Sequence, residues 1–281
     1  MLVMLAMALG LMLVASLVTA PLLVLSGGTL STPVMLVVQA VTQLLTFLVP
    51  VVLMTLIYYR GRQREFCRLD FSGPKWLLGL AGAVVMLLLV PVNDWLTVWN
   101  DTWNLGRLGE LMRSLQEQTE AVLQQMVATD TVGGLLANLL VVALIPAVCE
   151  EAFFRAGIQN LLQRWLSADG RKPWGVHVAI WLTAIIFSLG HGEFFAFMPR
   201  LVMGATLGYL YVYGGSLLPN MVAHFVNNAL AVVLYWLVAR GVLDIDPEAP
   251  LQVGVGLTVC CTVAAVVLFV VTFTKRMKTS R

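Results

Sequence analysis

Runs of about twenty apolar residues, separated by clusters of charge or turn residues, recur along this chain and constrain its fold more than any other feature. A hydrocarbon core of roughly 30 Å is crossed by about 20 apolar residues in a helix, and about eight runs reach or approach that length. They fall near Leu2–Leu25, Val34–Tyr59, Trp76–Val92, Val132–Phe154, Val176–Gly190, Phe197–Tyr213, Leu218–Ala239 and Leu251–Phe273. Composition agrees: 59% of the 281 residues are hydrophobic and 11% are charged, against roughly 25% charged in an average soluble chain. The expected fold class is an all-α polytopic membrane protein of about eight transmembrane helices, with the lipid bilayer as its solvent. Met1–Leu25 lacks a basic leading region and its apolar run is too long for a secretory signal, so it is expected to remain as an anchor.

Charge placement orients these runs. Arg60, Arg62, Arg64, Arg68 and Lys75 follow the second; Arg164, Arg171 and Lys172 follow the fourth; Lys275, Arg276, Lys278 and Arg281 end the chain. Asp94, Asp101, Glu110, Glu117, Glu120 and Asp130, with Arg107 and Arg113 among them, form one acidic segment, and Asp244, Asp246 and Glu248 form another. With eight spans every basic cluster lies on one side and both acidic segments on the other, so the positive-inside rule puts both termini in the cytoplasm. The expected location is a multi-pass position in a prokaryotic inner membrane. Net charge is +2, which excludes a strongly basic nucleic-acid binder and leaves the lipid bilayer as the expected partner at this point. Cys67, Cys149, Cys260 and Cys261 show no CxxC spacing, hence neither a disulfide framework nor a zinc knuckle.

Three parts are expected: residues 1–131 as N-terminal spans with a basic loop and an outer amphipathic helix, 132–240 as the core, and 241–281 as a final span and basic tail. In Leu105–Ala128, the residues Leu108, Leu111, Met112, Leu115, Val122 and Met126 recur at helical spacing between polar residues, as in a helix lying on the membrane or on the bundle. Gln159–Arg171 reads as an amphipathic extension of the fourth helix. Gly204 and Gly208 allow close helix packing, and His177 beside Trp174 reads as an interfacial residue.

An ionisable residue inside a span costs on the order of 2.5–3.5 kcal/mol on insertion scales, so each one asks for a reason. Three places stand out: Glu150-Glu151 with Arg155, Phe187 with His191, and His224 with Asn228. On a helix Glu151 and Arg155 are i and i+4 and can pair, whereas Glu150 is turned about 100° away. One carboxylate is then neutralised and the other is free to accept a proton from water. Phe187 can wall the site on the face of His191, and His224 and Asn228 share a face. A proton-coupled transporter or a non-catalytic scaffold would also bury such groups. Gradient-driven flux without cleavage would mark the first, and a biological effect that survives loss of Glu150 the second.

In order and spacing, Glu-Glu-x-x-x-Arg at Glu150–Arg155, Phe-x-x-x-His at Phe187–His191 and His-x-x-x-Asn at His224–Asn228 resemble the motifs of the CPBP family of intramembrane proteases, also called Abi, which includes the eukaryotic CAAX prenyl endopeptidase. The resemblance implies an endopeptidase acting on a membrane-associated peptide, of CAAX-like prenylated or bacteriocin type, and so a peptide or membrane-protein substrate as the second expected partner. It implies Glu150 as the catalytic base, Glu151 and Arg155 as its supporting pair, His191 as a polariser of water or carbonyl, and His224 with Asn228 as oxyanion stabilisers. Glu150, His191 and His224 are also the set that would hold a divalent metal such as zinc. The chain lacks His-Glu-x-x-His, and a site without metal is the expectation.

Depth poses a conflict. His191 falls about 15 residues, roughly 22 Å, from the start of its run, and His224 about 6 residues, roughly 9 Å, from the start of its own. Straight spans with these limits cannot hold both at one level. Either the fifth helix starts outside the bilayer, or Leu217–Met221 does not start at the surface.

Overall fold

The computed structural model describes residues 1–25, 30–167, 172–247, 249, 251 and 253–274. Arg171, Glu248, Lys275, Arg276, Lys278 and Arg281 of the charge pattern lie outside the described residues. The described chain is helical throughout, with no strand among the described residues. Its helices are α1 (Leu2–Leu25), α2 (Thr32–Tyr58), α3 (Gln63–Phe66), α4 (Gly73–Leu88), α5 (Val90–Asp101), α6 (Gly106–Val127), α7 (Val132–Leu166), α8 (Trp174–Gly190), α9 (Phe194–Gly214), α10 (Leu218–Ala239) and α11 (Val255–Phe273).

Five of them, α2, α7, α9, α10 and α11, are long and apolar enough to cross a membrane, and a sixth span arises if the bent pair α4–α5 is one. The apolar stretch Leu2–Leu17 and the helix α8 are shorter. The expected third run, Trp76–Val92, thus becomes two helices meeting at 44°. Pro91, in the first turn of α5, has no N–H to continue the ladder of α4 and crowds the carbonyl four residues back. The expected fourth run instead continues unbroken from Phe154 to Leu166.

Prolines also shape the interiors of α2 and α7. Pro50 and Pro146 each follow a π-helical turn, Leu44–Leu48 and Leu139–Leu144. The wider turn carries the backbone past the clash that a proline ring would otherwise make within a straight helix. A third π turn, Ala152–Gln159, has no proline after it and begins next to Glu151. Such turns re-aim side chains and recur at functional sites.

The core surrounds the middle of α7. Met4 of α1, Val51 and Met54 of α2, Phe66 of α3, Phe187 of α8, Tyr211 of α9 and Leu217 pack with Phe153, Phe154 and Ile158. Gly204 and Gly208 face α8: a Cβ at Gly204 would meet Ala184 and Phe187, and one at Gly208 would lie 2.8 Å from Ile180 Cγ2. The spacing serves the close packing expected of it. α10 lies chiefly against α4 and α7.

The segment between α2 and α4 folds back on the bundle. Leu217 N–H donates to Arg68 O (3.1 Å), Ser216 Oγ to Asp70 O (2.7 Å) and Lys75 Nζ to Gly214 O (2.6 Å). Arg68 adds a bond to Tyr211 O (3.4 Å) and covers the Tyr211 ring. Cations at the carbonyl end of α9 satisfy its last acceptors and its dipole. Gly215, in the left-handed region at φ 64°, lets the chain leave α9 there. This cover buries Ser216 and Leu217 completely or nearly so. α10 therefore starts inside the protein, in keeping with the second resolution of the depth conflict.

α6 forms where the amphipathic helix was expected. Gly109 and Val127 touch the bundle, while Leu108, Leu111, Leu115 and Val122 stay exposed. The extension of α7 is not free either: Gln159 Nε2 donates to Gly208 O (3.0 Å) and Asn160 Nδ2 to Phe66 O (2.9 Å).

Candidate active site

Glu150 and Glu151 sit on α7 and point into the bundle in different directions, as one residue of helix rotation requires. Both are buried. Glu151 Oε2 accepts from Arg155 Nε at 3.0 Å, and neither side chain has any exposed surface. The other oxygen, Oε1, lies 3.1 Å from His224 Nδ1. The Glu151 carboxylate therefore joins its own helix to α10. Arg155 also stands over the Phe187 ring, 5.3 Å from guanidinium carbon to centroid.

The two oxygens of Glu150 have different surroundings. Oε1 accepts from Gln43 Nε2 of α2 at 3.1 Å. Oε2 is buried without a hydrogen-bond partner among the described residues, and it lies 3.8 Å from His191 Nε2 and 3.9 Å from His224 Nε2. The expectation of a free carboxylate is corrected in one respect: half of it is held by Gln43. Gln43 is absent from the motifs because an amide in an apolar run carries no charge to draw attention. The signal present is a polar stripe, Gln39, Thr42, Gln43 and Thr46, on one face of an otherwise apolar helix.

His191 caps the C-terminus of α8, and Gly192, with φ 71°, turns the chain away after it. His191 Nδ1 lies 2.7 Å from Phe187 O. A carbonyl only accepts, so Nδ1 carries the proton there and Nε2 remains for the site. About a quarter of the His191 side chain is exposed, which makes it the open side of the site. Fully buried, the Phe187 ring packs 4.6 Å from His191, 6.1 Å from His224 and 5.0 Å from Phe154. It walls the site as its spacing suggested.

The connection after His191 is held from behind. Asn100, at the end of α5, donates to Phe194 O (3.2 Å) and accepts from Met198 N–H (2.8 Å). Gln116 of α6 accepts from Phe195 N–H, Ser188 Oγ donates to Phe197 O, and Arg200 pairs with Glu193. Asn228 is one turn beyond His224 on α10 and half-buried; its Oδ1 lies 3.5 Å from Asn227 Nδ2, the outer limit of a hydrogen bond. The structure thus links Glu150, Glu151, Arg155, Phe187, His191 and His224 through pairwise contacts, with Asn228 one helical turn beyond His224. His177 stands apart, 3.1 Å from Tyr209 Oη.

Ligands about 2.0–2.1 Å from a tetrahedral zinc lie roughly 3.3–3.4 Å from one another. The 3.8 and 3.9 Å separations from Glu150 Oε2 are wider, and the other oxygen is taken by Gln43. No group of three His, Cys, Asp or Glu side chains among the described residues is placed to hold a metal ion. The donors as arranged do not fit one.

Residues 132–230 match the family model described as type II CAAX prenyl endopeptidase, Rce1-like. Comparison with curated proteins and with solved structures gives no match. The matched stretch begins with α7 and ends within α10, and it contains each of the motif residues from Glu150 to Asn228. Over that domain, about a third of its length, the chain is similar to the type II CAAX prenyl endopeptidases, in keeping with the CPBP, or CAAX protease, resemblance of its motifs.

Proposed function

We propose that this protein is a glutamate-dependent intramembrane endopeptidase that hydrolyses a membrane-associated peptide without a metal. The reading rests on one observation above all: Glu150 Oε2 has no hydrogen-bond partner among the described residues and faces two imidazole Nε2 atoms at 3.8 and 3.9 Å. Those separations are too long for direct hydrogen bonds and suited to a bridging water. Glu150 takes a proton from that water on Oε2 while the oxygen attacks the scissile carbonyl carbon. His191, its Nδ1–H held by Phe187 O, keeps Nε2 directed at the water. In its doubly protonated form His224 donates Nε2–H to the developing oxyanion and keeps Nδ1–H on Glu151. Asn228 supplies a second donor once substrate is seated. As the C–N bond breaks, the proton on Glu150 passes to the leaving amine, and the carboxylate is restored. Burial strengthens each of these interactions, because the donors need no reorganisation and compete with little water.

The substrate enters beside His191, the exposed member of the set. Eight spans, both termini cytoplasmic and a prokaryotic inner membrane complete the reading, with α1, α8 and the α4–α5 pair as the three spans that are short or bent. A substrate of CAAX-like prenylated or bacteriocin type, itself held at the bilayer, suits a site set among apolar helices. The test is a comparison of membrane proteomes from cells carrying wild type and Glu150→Ala. A peptide trimmed only in the wild type supports the reading, and turnover at the wild-type rate by a folded Glu150→Ala protein would overturn it.

A further inference from the structure

Gln43 touches the proposed base from outside the matched residues 132–230, and the reaction above leaves it without a role. Its contact has one chemical sense. An ionised carboxylate only accepts, so the amide must present its NH2 to Glu150. The separation of 3.1 Å is an ordinary hydrogen bond. Among the described residues Gln43 is the hydrogen-bond partner of Glu150 Oε1: Arg155 Nε bonds Glu151, and the two imidazoles face Oε2. Gln43 also precedes the π turn Leu44–Leu48, whose widened backbone sets how that part of α2 meets α7.

Resting on the glutamate-base reading, we propose that Gln43 is a positioning residue that selects Oε2 of Glu150 as the basic oxygen. The terminal torsion of a glutamate is broad and nearly two-fold, so the carboxylate alone does not distinguish its oxygens. With Oε1 tied to α2, Oε2 is left toward His191 and His224, where the water proton is accepted. Without the amide the carboxylate turns, and a smaller fraction of bound complexes has a lone pair directed at the water.

The test uses the full chain in detergent micelles and a quenched fluorescent peptide ending in farnesylated Cys-aliphatic-aliphatic-X. Wild type, Glu150→Ala, Gln43→Met and Gln43→Asn are compared. Methionine keeps the length without a donor, and asparagine keeps the amide but withdraws it. For both Gln43 variants kcat is expected to fall about 10- to 100-fold, the worth of one hydrogen bond to a charged group. KM should stay within about twofold, because the loss concerns orientation in the reaction and not substrate binding. Wild-type kcat in a folded Gln43→Met protein, with Glu150→Ala inactive, overturns the positioning role and leaves the reaction standing. A parallel rise in KM and fall in thermal stability assigns Gln43 to structure and equally overturns it. Full turnover by Glu150→Ala instead sinks the reaction. Infrared difference spectra against Glu150→Ala isolate the Glu150 carboxylate band and decide the contact even if the probe is left uncut. A shifted band in Gln43→Met supports the proposal, and an unchanged band rejects it.

Discussion

His224 Nδ1 lies 3.1 Å from one oxygen of Glu151, while the other oxygen of that carboxylate accepts from Arg155 at 3.0 Å. One buried carboxylate is thus shared between a cation on its own helix and an imidazole on α10. It orients His224 Nε2 toward Glu150 and links the strength of the fold to the geometry of the site.

Removing Arg155 should therefore damage both. Arg155→Met leaves Glu151 buried without its cation, and breaking such a pair typically destabilises by about 3–5 kcal/mol. Denaturant unfolding in detergent, alongside a cleavage assay, reads both losses. An unfolding midpoint equal to that of wild type would contradict the structural role of the pair.

His224 and Asn228 are predicted to differ in kind. Each substitution to alanine removes a donor from the developing oxyanion and should lower kcat by roughly 10²–10³. His224→Ala also takes a partner from Glu151, so it should lower thermal stability, whereas Asn228→Ala should not. Equal stability losses in the two variants, measured by differential scanning fluorimetry, would show that this division is wrong.

Asn100 lies outside the motifs and holds the connection that follows His191. Asn100→Leu keeps the branched shape and strips two hydrogen bonds from a fully buried position, at a cost of roughly 1–3 kcal/mol for each backbone group left unpaired. Hydrogen exchange at Phe194–Met198 should accelerate, and kcat should fall through misplacement of His191. Unchanged exchange in that segment would remove the link.

Chelation addresses the metal directly. Because the donors around Glu150 are spaced more widely than a zinc ion requires, dialysis against a strong chelator should leave the cleavage rate of the purified protein within about twofold of the untreated enzyme. Loss of activity restored by added zinc would replace the metal-free mechanism.

Much of this arrangement can be read along the chain. The Glu151–Arg155 pair and the Phe187–His191 face are separations of one helical turn, so the pitch of a helix determines them without any tertiary information. Gln43 and Asn100 could not be found in that way. The polar stripe on α2 marks the face of Gln43 but names no partner, and the contact to Glu150 joins positions 107 residues apart. The roles of Arg68 and Lys75 were likewise only half visible. Their charge marks an end of a span, but that they cap α9 follows from the loop folding back onto Gly214 and Tyr211.

By itself, then, the sequence determined that the chain is helical and membrane-embedded, and it named the side chains that must be explained inside the apolar runs. Those conclusions depend on local quantities, namely transfer energy and helical period. Only the tertiary structure decided which oxygen of Glu150 is held and which is exposed to two imidazoles. It also decided that α10 begins beneath a covering loop, which allows His224, near the start of its helix, to meet His191 at the end of α8. The physical reason is that relative depth and the partner of a neutral polar group are set by how helices pack and bend. No periodicity along one helix records the position of another.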